Sequence, residues 1–267
     1  MIVLSIITPA FNSAKWLESC ILNVAGQGVS DQIEHIVIDG GSKDESLDVL
    51  ENYKKKLSHL RFLSEPDRGQ SDAMNKGLQM AKGKWIGFLN ADDFYEVGIL
   101  KSVLEIINTN PEREAFLVGN LNILGENDSA ISTCRPATMT MPYLLADICE
   151  WPYNPSAYFY PLRLHTKIGY FDPEEHYAMD YDFILRIMHF GVPVEYCNET
   201  WGNFRMQIYA KTVADQNAGL SYNRASKLRK MYFTKSNLRV RYATRFLIIF
   251  WAIRNKTLGI IRRLFEK

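Results

Sequence analysis

Long apolar runs are missing from this 267-residue chain. The stretch at residues 246–253 holds eight apolar residues in a row, against about 20 needed to cross a bilayer. Cysteine is scarce: Cys20, Cys134, Cys149 and Cys197 form no CxxC pair and no metal-ligand spacing. A disulfide scaffold and a zinc module are therefore excluded, and free thiols in a reducing compartment are expected. None of the five histidines is paired at ligand spacing. The segment after the first apolar run, residues 9–13, is neither Gly-rich nor basic, unlike a loop that cradles phosphates in a nucleotidyltransferase. The first basic residue is Lys15, and Pro9 interrupts the opening apolar run. A secretion signal is not expected, and the cytoplasm is the expected location.

What is present suits one large globular domain, alone or with an appendage: 47% hydrophobic and 23% charged residues. The net charge of +1 hides a polarised chain. From Arg224 onward there are 13 Lys/Arg and a single acid, Glu266, while the remainder carries 18 basic and 29 acidic residues. An acidic body with a basic tail implies an anionic partner for the tail. Basic residues flank residues 246–253 on both sides, so a basic amphipathic helix lying on an anionic membrane is expected. The competing reading is a helix packed on the acidic body. No nucleic-acid module accompanies the charge, and a nucleic-acid partner is not expected.

The first 110 residues alternate strands and helices. Residues 4–8, 34–38, 61–64 and 85–89 read as strands. Helices are predicted over residues 14–25, capped by Asn12-Ser13, over 45–55 from a Ser42/Glu45 capping box, and over 70–82. Such alternation means βαβ units and a mostly parallel sheet. Each strand then delivers polar residues to the same edge: Asn12, Asp39, Asp67 with Arg68, and Asp92. Ligands bind at that edge of open α/β sheets. Asp39 and Asp67 sit beside Gly or Pro and read equally as turn residues.

The sharpest feature is Asn90-Ala91-Asp92-Asp93 behind the apolar run Trp85-Ile86-Gly87-Phe88-Leu89. Two carboxylates at the end of a buried strand are costly without a positive partner, and a divalent cation carrying a diphosphate would supply one. The alternative is that Asp92 and Asp93 cap a helix starting near Val97. Further on, residues 115–121 read as a strand, and residues 122–135 as a returning strand or loop. The aromatic, Pro-rich Trp151-Pro152-Tyr153-Asn154-Pro155-Ser156 reads as a structured loop or a platform for a sugar ring. A short helix is expected within 161–168. Residues 181–190 have helical periodicity, which leaves Asp180 and Asp182 at the helix start. A capping carboxylate there would be a weak base; a catalytic one needs burial or a like charge to raise its pKa.

Five motifs in order resemble those of the family 2 inverting glycosyltransferases with the GT-A fold, over roughly residues 2–210. They are Ile6-Ile7-Thr8-Pro9-Ala10-Phe11-Asn12, Ile36-Val37-Ile38-Asp39-Gly40-Gly41-Ser42-Lys43-Asp44, Ser64-Glu65-Pro66-Asp67-Arg68-Gly69, Asn90-Ala91-Asp92-Asp93 and Met179-Asp180-Tyr181-Asp182. The resemblance implies an α/β GT-A fold. Its mostly parallel, Rossmann-like nucleotide-binding sheet would continue into a smaller acceptor-side region, with C-terminal basic amphipathic helices outside the match. In domain terms it implies residues 1–215 as the glycosyltransferase domain, with 1–110 the nucleotide-sugar half, 111–215 the acceptor and base half, and 216–267 the tail.

It also implies a nucleotide-diphosphate sugar donor, with a UDP-sugar expected, and a Mg or Mn divalent cation. By similarity, Pro9, Ala10, Phe11, Asn12, Asp39, Asp67, Arg68, Asn90 and Ala91 bind the nucleotide, Asp92 holds the metal, and Asp180 is the catalytic base. Asp93 and Asp182 support them. The acceptor would be a hydroxyl of a glycan or lipid-linked molecule, in surface polysaccharide assembly at the inner membrane face. This chain departs from the family at Asn90, where the motif has Asp, and at Gln207, where many members have a His. Those departures suit the alternative of a non-catalytic nucleotide-sugar-binding protein that keeps the fold.

Overall fold

The computed structural model describes residues 1–206 and 219–265. One nine-stranded sheet runs through it. The elements at its start are β1 (Leu4–Ala10), α1 (Ala14–Ala25), β2 (Ile33–Asp39), α2 (Ser46–Lys54), β3 (Leu60–Ser64), α3 (Gln70–Met80) and β4 (Trp85–Phe88). Then come β5 (Phe94–Tyr95), α4 (Ile99–Thr109), β6 (Phe116–Leu124), β7 (Ala130–Cys134), α5 (Met141–Ala146), β8 (Tyr158–Pro161) and α6 (His165–Ile168). α7 (Met179–His189), β9 (Val194–Arg205), α8 (Leu220–Lys235) and α9 (Leu238–Phe265) complete it.

The strand order is β3-β2-β1-β4-β8-β6-β9-β5, with β7 paired to β6. The first four strands are mutually parallel, as the βαβ pattern requires. β8 then runs antiparallel between β4 and β6 and joins the two halves into one sheet. The whole is a mixed α/β GT-A-type fold, largely parallel, with helices at its C-terminal end.

Alternation along each central strand builds two apolar layers, because successive side chains point to opposite faces. Ile7, Ile86, Phe88, Phe116 and Tyr158 face the layer formed with α3 and α7. Leu4, Ile6, Trp85, Leu117 and Phe159 face the layer formed with α4. β4 is buried throughout, as its apolar run implies. Gly87 is required at its centre. A Cβ there would lie 2.5 Å from the ring of Phe159, its partner across the antiparallel β4–β8 pair.

Several local expectations are corrected. α4 begins at Ile99 behind Gly98, whose φ of 80° makes the turn, so Asp92 and Asp93 do not cap it. The Ser42/Glu45 capping box does not form: α2 starts at Ser46 without a side-chain cap. Ser42 is instead engaged with Asp39 and Asn12. Ser13 makes no cap to α1; Asp44 Oδ2 accepts from Ala14 N at 2.9 Å in its place. α3 stops at Met80, before Lys82.

The four cysteines are free thiols. The tail is helical and partly docked: Leu228 and Tyr232 of α8 are buried in the α7 layer, and Arg229 pairs with Asp147 at 2.9 Å. Thr244 of α9 is buried, while Phe246, Ile249, Phe250 and Ile253 are exposed. Among the described residues no helix is long and apolar enough to cross a membrane.

Candidate active site

The parallel order of β3, β2, β1 and β4 places the loops after all four strands side by side. After β1, Phe11 stands 61% exposed on the lip of this edge. Asn12 adopts a left-handed backbone, φ 48°, and is locked to the neighbouring loop from both sides. Its N–H donates to Ser42 Oγ at 2.8 Å, and its Oδ1 accepts from Lys43 N at 2.8 Å. Pro9 and Ala10 complete the β1 register opposite Ile38 and Asp39.

Asp39 is buried and organises this corner. Its Oδ2 accepts from Gly41 N, Ser42 N and Ser64 Oγ at 3.2, 3.1 and 2.6 Å. Oδ1 accepts from Ser42 Oγ. With two lone pairs on each oxygen, Oδ1 keeps one direction for a further donor. Asp67 closes the loop after β3 by accepting from Gly69 N at 2.8 Å. Its carboxylate lies against Gly40, where a Cβ would lie 2.6 Å from Oδ2, so a larger residue there would require the Asp67 side chain to move. Arg68 turns outward and pairs with Asp72 at 3.2 Å.

At the end of β4, Ala91 packs with Ala10 and Leu17, and the two aspartates separate in role. Asp93 is 1% exposed. Its Oδ2 accepts from Asn154 Nδ2 at 2.6 Å and Asn90 Nδ2 at 3.0 Å, and its Oδ1 from Arg205 N at 3.0 Å. Burial, then the charge of Asp92, pushes the Asp93 carboxyl well above its ordinary value, while the three donors pull it back. Asp92 is half-buried and is likewise raised by burial; the Arg205 guanidinium beside it works the other way.

Arg205 is fastened in place by Asp128 at 2.6 and 2.9 Å and by the Asp92 carbonyl at 2.7 Å. Its guanidinium lies over the rings of Phe94 and Trp16 at 4.5 and 5.0 Å. Asn90 is engaged on both sides of its amide, donating to Asp93 and accepting from Gln70 Nε2 at 2.9 Å. That second bond ties the start of α3 to the β4 loop.

Asp180 lies in the first turn of α7. It keeps a solvent-facing edge but is set in a dense protein surround, and this burial lifts its carboxyl to about 7. The opposing effect comes from Tyr158, whose hydroxyl donates to Asp180 Oδ1 at 3.0 Å. Asp182 faces elsewhere: it pairs with Arg186 at 2.9 Å and accepts from Tyr232 of α8 at 3.4 Å. Burial raises it too, and Arg186 offsets that.

The turn before α7 is held by Glu175, whose Oε1 accepts from Tyr177 N and Ala178 N at 3.2 and 3.0 Å. Arg224 of α8 pairs with its other oxygen. Ser71 at the start of α3 bonds the Glu175 carbonyl and Met179 Sδ, at 3.4 and 3.2 Å. α3 thereby joins the loops at the edge of the parallel strands to the helix carrying Asp180.

The link between the carboxylates is one that spacing could not reveal. Asn154 and Tyr158, four residues apart, reach Asp93 and Asp180 respectively. The end of the aromatic, Pro-rich stretch and the start of β8 are therefore the brace between the β4 loop and α7. Its only sequence signal is the turn-forming Asn-Pro pair at 154–155. Arg205, Gln70 and Glu175 were also missed, having no motif of their own. Gln207 lies outside the described residues. Among those residues, no three His, Cys, Asp or Glu side chains gather as a metal site.

The model of the glycosyl transferase family 2 matches residues 5–127, which include the β1, β2, β3 and β4 loops. A Mycobacterium bovis (strain BCG / Pasteur 1173P2) protein described as a PGL/p-HBAD biosynthesis glycosyltransferase is 38% identical over 186 residues, 68% of each chain. An uncharacterized glycosyltransferase of Mycobacterium tuberculosis (strain ATCC 25618 / H37Rv) is 32% identical over 185 residues, 68% of this chain and 67% of its own. Among solved structures, S. aureus TarS superposes with a TM-score of 0.70 at 18% identity, covering 94% of this chain and 43% of TarS. Residues 1–349 of TarS in complex with UDP-GlcNAc give 0.69 at 18% identity, over 91% of this chain and 69% of that one. At that identity the likeness is one of fold.

Proposed function

This chain belongs to glycosyl transferase family 2, and on that premise we propose that it moves a sugar from a nucleotide-diphosphate donor to an acceptor hydroxyl, with inversion at the anomeric carbon. Asp180 is the base in this reading, and its carboxyl, lifted to about 7 by burial, is the observation that carries it. A base works best when its pKa lies near the operating pH; an ordinary capping aspartate would be too weak. Asp180 takes the proton of the acceptor hydroxyl as that oxygen attacks from the face opposite the leaving diphosphate. One displacement assisted by one base inverts the centre. Tyr158 fixes the carboxylate and keeps Oδ1 from rotating away.

On the donor side, Pro9, Ala10, Phe11 and Asn12 with Asp39, Asp67 and Arg68 form the nucleotide pocket, with Asn90 and Ala91 at its floor. The spare acceptor direction on Asp39 Oδ1 suits an N–H of the base. A UDP-sugar is the proposed donor; UDP and UDP-GlcNAc complexes of TarS exist for a chain of the same fold. The carboxylates fit a Mg2+ or Mn2+ site of the kind that uses a single protein carboxylate. Asp93 is buried and already accepts from three donors within the protein, and Asp92 is the residue proposed to hold the ion together with the donor's diphosphate. Such an ion would neutralise charge on the leaving diphosphate. Asp93 supports by fixing the loop, and Asp182 by fixing α7 to α8.

The acceptor is a glycan or lipid-linked hydroxyl, in the assembly of surface polysaccharide or glycolipid. The exposed apolar face of α9, set among Arg239, Arg241, Arg245 and Arg254, would rest on the anionic inner face of the cell membrane, where such acceptors are found. The domain division follows: 1–215 performs transfer and 216–267 anchors it. A non-catalytic sugar-nucleotide-binding protein is the second reading, favoured by Asn90, whose amide is already committed within the protein.

Screening nucleotide sugars with Mn2+ and following release of the nucleoside diphosphate tests both. Asp180→Asn should keep donor binding and lose transfer by about 10²- to 10⁴-fold. Unchanged transfer would remove Asp180 as the base; absence of transfer from every donor in the wild-type protein favours the second reading.

A further inference from the structure

A cavity of about 290 Å³ lies between β7 and residues 150–153, away from the nucleotide edge. Its walls include Trp151, Tyr153 and Ile123, and its rim includes Glu150, Ser132 and Thr133. Ser132 and Glu150 are exposed, so it opens to solvent. Two bonds pin the walls together. Cys134 Sγ donates to the Trp151 carbonyl at 3.4 Å, and Arg135 N donates to Glu150 Oε2. The cavity is thus preformed rather than dependent on a moving loop.

The geometry points to this cavity as a saccharide subsite that holds one neutral pyranose ring of the acceptor, which rests on the reading of the chain as a glycosyltransferase. Three observations meet there. The chemistry is that of a sugar: aromatic walls suit the apolar C–H face of a pyranose, and a rim of hydroxyls and a carboxylate suits its hydroxyls. The size is at the lower end of small-ligand sites, about 300 Å³; one ring fits, and a nucleoside diphosphate does not. Among the described lining residues Glu150 is the only charged one, which disfavours a phosphate-bearing ligand and favours a neutral one.

Position supplies the third observation. The Trp151 ring lies 4.8 Å from the ring of Tyr181, the residue after Asp180. The Tyr153 ring lies 6.1 Å from Phe204, the residue before Arg205, whose N–H holds Asp93. Trp151 thus packs on α7 and Tyr153 on β9, the elements that carry Asp180 and Arg205. The same short segment that braces Asp93 and Asp180 through Asn154 and Tyr158 forms the cavity wall. An acceptor ring seated here would be held by residues next in sequence to those that brace Asp93 and Asp180.

The test is saturation-transfer NMR on the full chain with a panel of neutral methyl hexopyranosides, with UDP present. At least one glycoside should receive saturation from the wild-type protein. Ser132→Trp places a bulky ring in the cavity from an exposed strand position and removes no core contact. It should cut that signal about tenfold, and Glu150→Gln, which keeps the bond from Arg135 N, should weaken it. Full saturation in a natively folded Ser132→Trp, or none for any glycoside with the wild type, overturns the subsite. UDP titration by calorimetry reads the donor side alone. A protein that binds glycosides in the NMR experiment but binds no UDP in calorimetry with Mn2+ present would overturn the UDP-sugar donor and leave the saccharide site standing, whereas UDP bound without glycosides overturns the saccharide site alone.

Discussion

Tyr158 donates its phenolic hydroxyl to Asp180 Oδ1 at 3.0 Å, from a central strand to the first turn of α7. The bond stabilises the ionised carboxylate against a burial effect that otherwise raises it. Removing it by Tyr158→Phe should therefore raise the Asp180 pKa above about 7. A base is inactive below its pKa, so the acid limb of kcat/KM against pH should move to higher pH, with a loss at neutral pH of about tenfold. An acid limb that stays in place would show that Tyr158 does not act through Asp180.

Stability should carry the same signature. The folded-state pKa of Asp180 is raised from 3.8 to about 7, so the folded chain binds the proton more tightly than the unfolded one. The contribution is fully present below the unfolded pKa and is lost as pH rises through the folded value. Asp180→Asn removes this dependence. The gain in Tm of the variant over wild type should be larger at pH 8 than at pH 4.5, measured by scanning calorimetry. Parallel Tm curves would refute the raised pKa.

Asn154 is buried and engaged at both ends of its amide: it donates to Asp93, while its Oδ1 accepts from Ser156 N and Oγ at 3.0 and 2.7 Å. Asn154→Ala strands these partners in the interior. The expected cost is about 2–3 kcal/mol in urea unfolding, with transfer falling further than stability accounts for, because Asp93 loses a brace. A loss below 0.5 kcal/mol, as for an ordinary surface change, would mean that the bridge is not a structural tie.

The tail makes a separable prediction. Phe246, Ile249 and Phe250 are exposed on α9 and take no part in the carboxylate cluster. Replacing all three by Gln should abolish co-sedimentation with vesicles rich in phosphatidylglycerol. Wild-type binding should weaken with added salt, as expected for basic residues at an anionic surface. Release of the nucleoside diphosphate with a soluble acceptor should be unchanged. Equal vesicle binding by both proteins would exclude α9 as a membrane contact.

Arg224→Ala probes the coupling between tail and site. Arg224 is the α8 partner of buried Glu175, which holds Tyr177 N and Ala178 N ahead of α7. Its loss should cost about 1–3 kcal/mol and lower kcat more than it raises the donor KM, since the donor loops are untouched. An effect on donor KM alone would break the proposed link between α8 and Asp180.

Much of this could be read directly from the chain. β1, β2 and β4 are legible because strands buried on both faces are rich in apolar residues, the half-exposed edge strand β3 from the turn residues that follow it, and the loops because Asn12, Asp39, Gly40, Asp67 and Gly69 satisfy local turn geometry. Asp92, Asp93 and Asp180 stand out because carboxylates at a strand end or helix start need a reason. Tertiary structure decided what those carboxylates do. Asp93 meets Asn154 and Arg205, 61 and 112 residues away, and no local pattern encodes such partners. The Ser42 capping box fails partly for the same reason: Asn12, 30 residues away and brought alongside by the sheet, donates to the Ser42 hydroxyl, which itself donates to Asp39 three residues earlier. The pKa of Asp180 follows from burial, which belongs to the packed molecule and not to any segment of it. Residue type and order determined which groups reach the edge of the sheet; folding determined which become braces and which remain available to react.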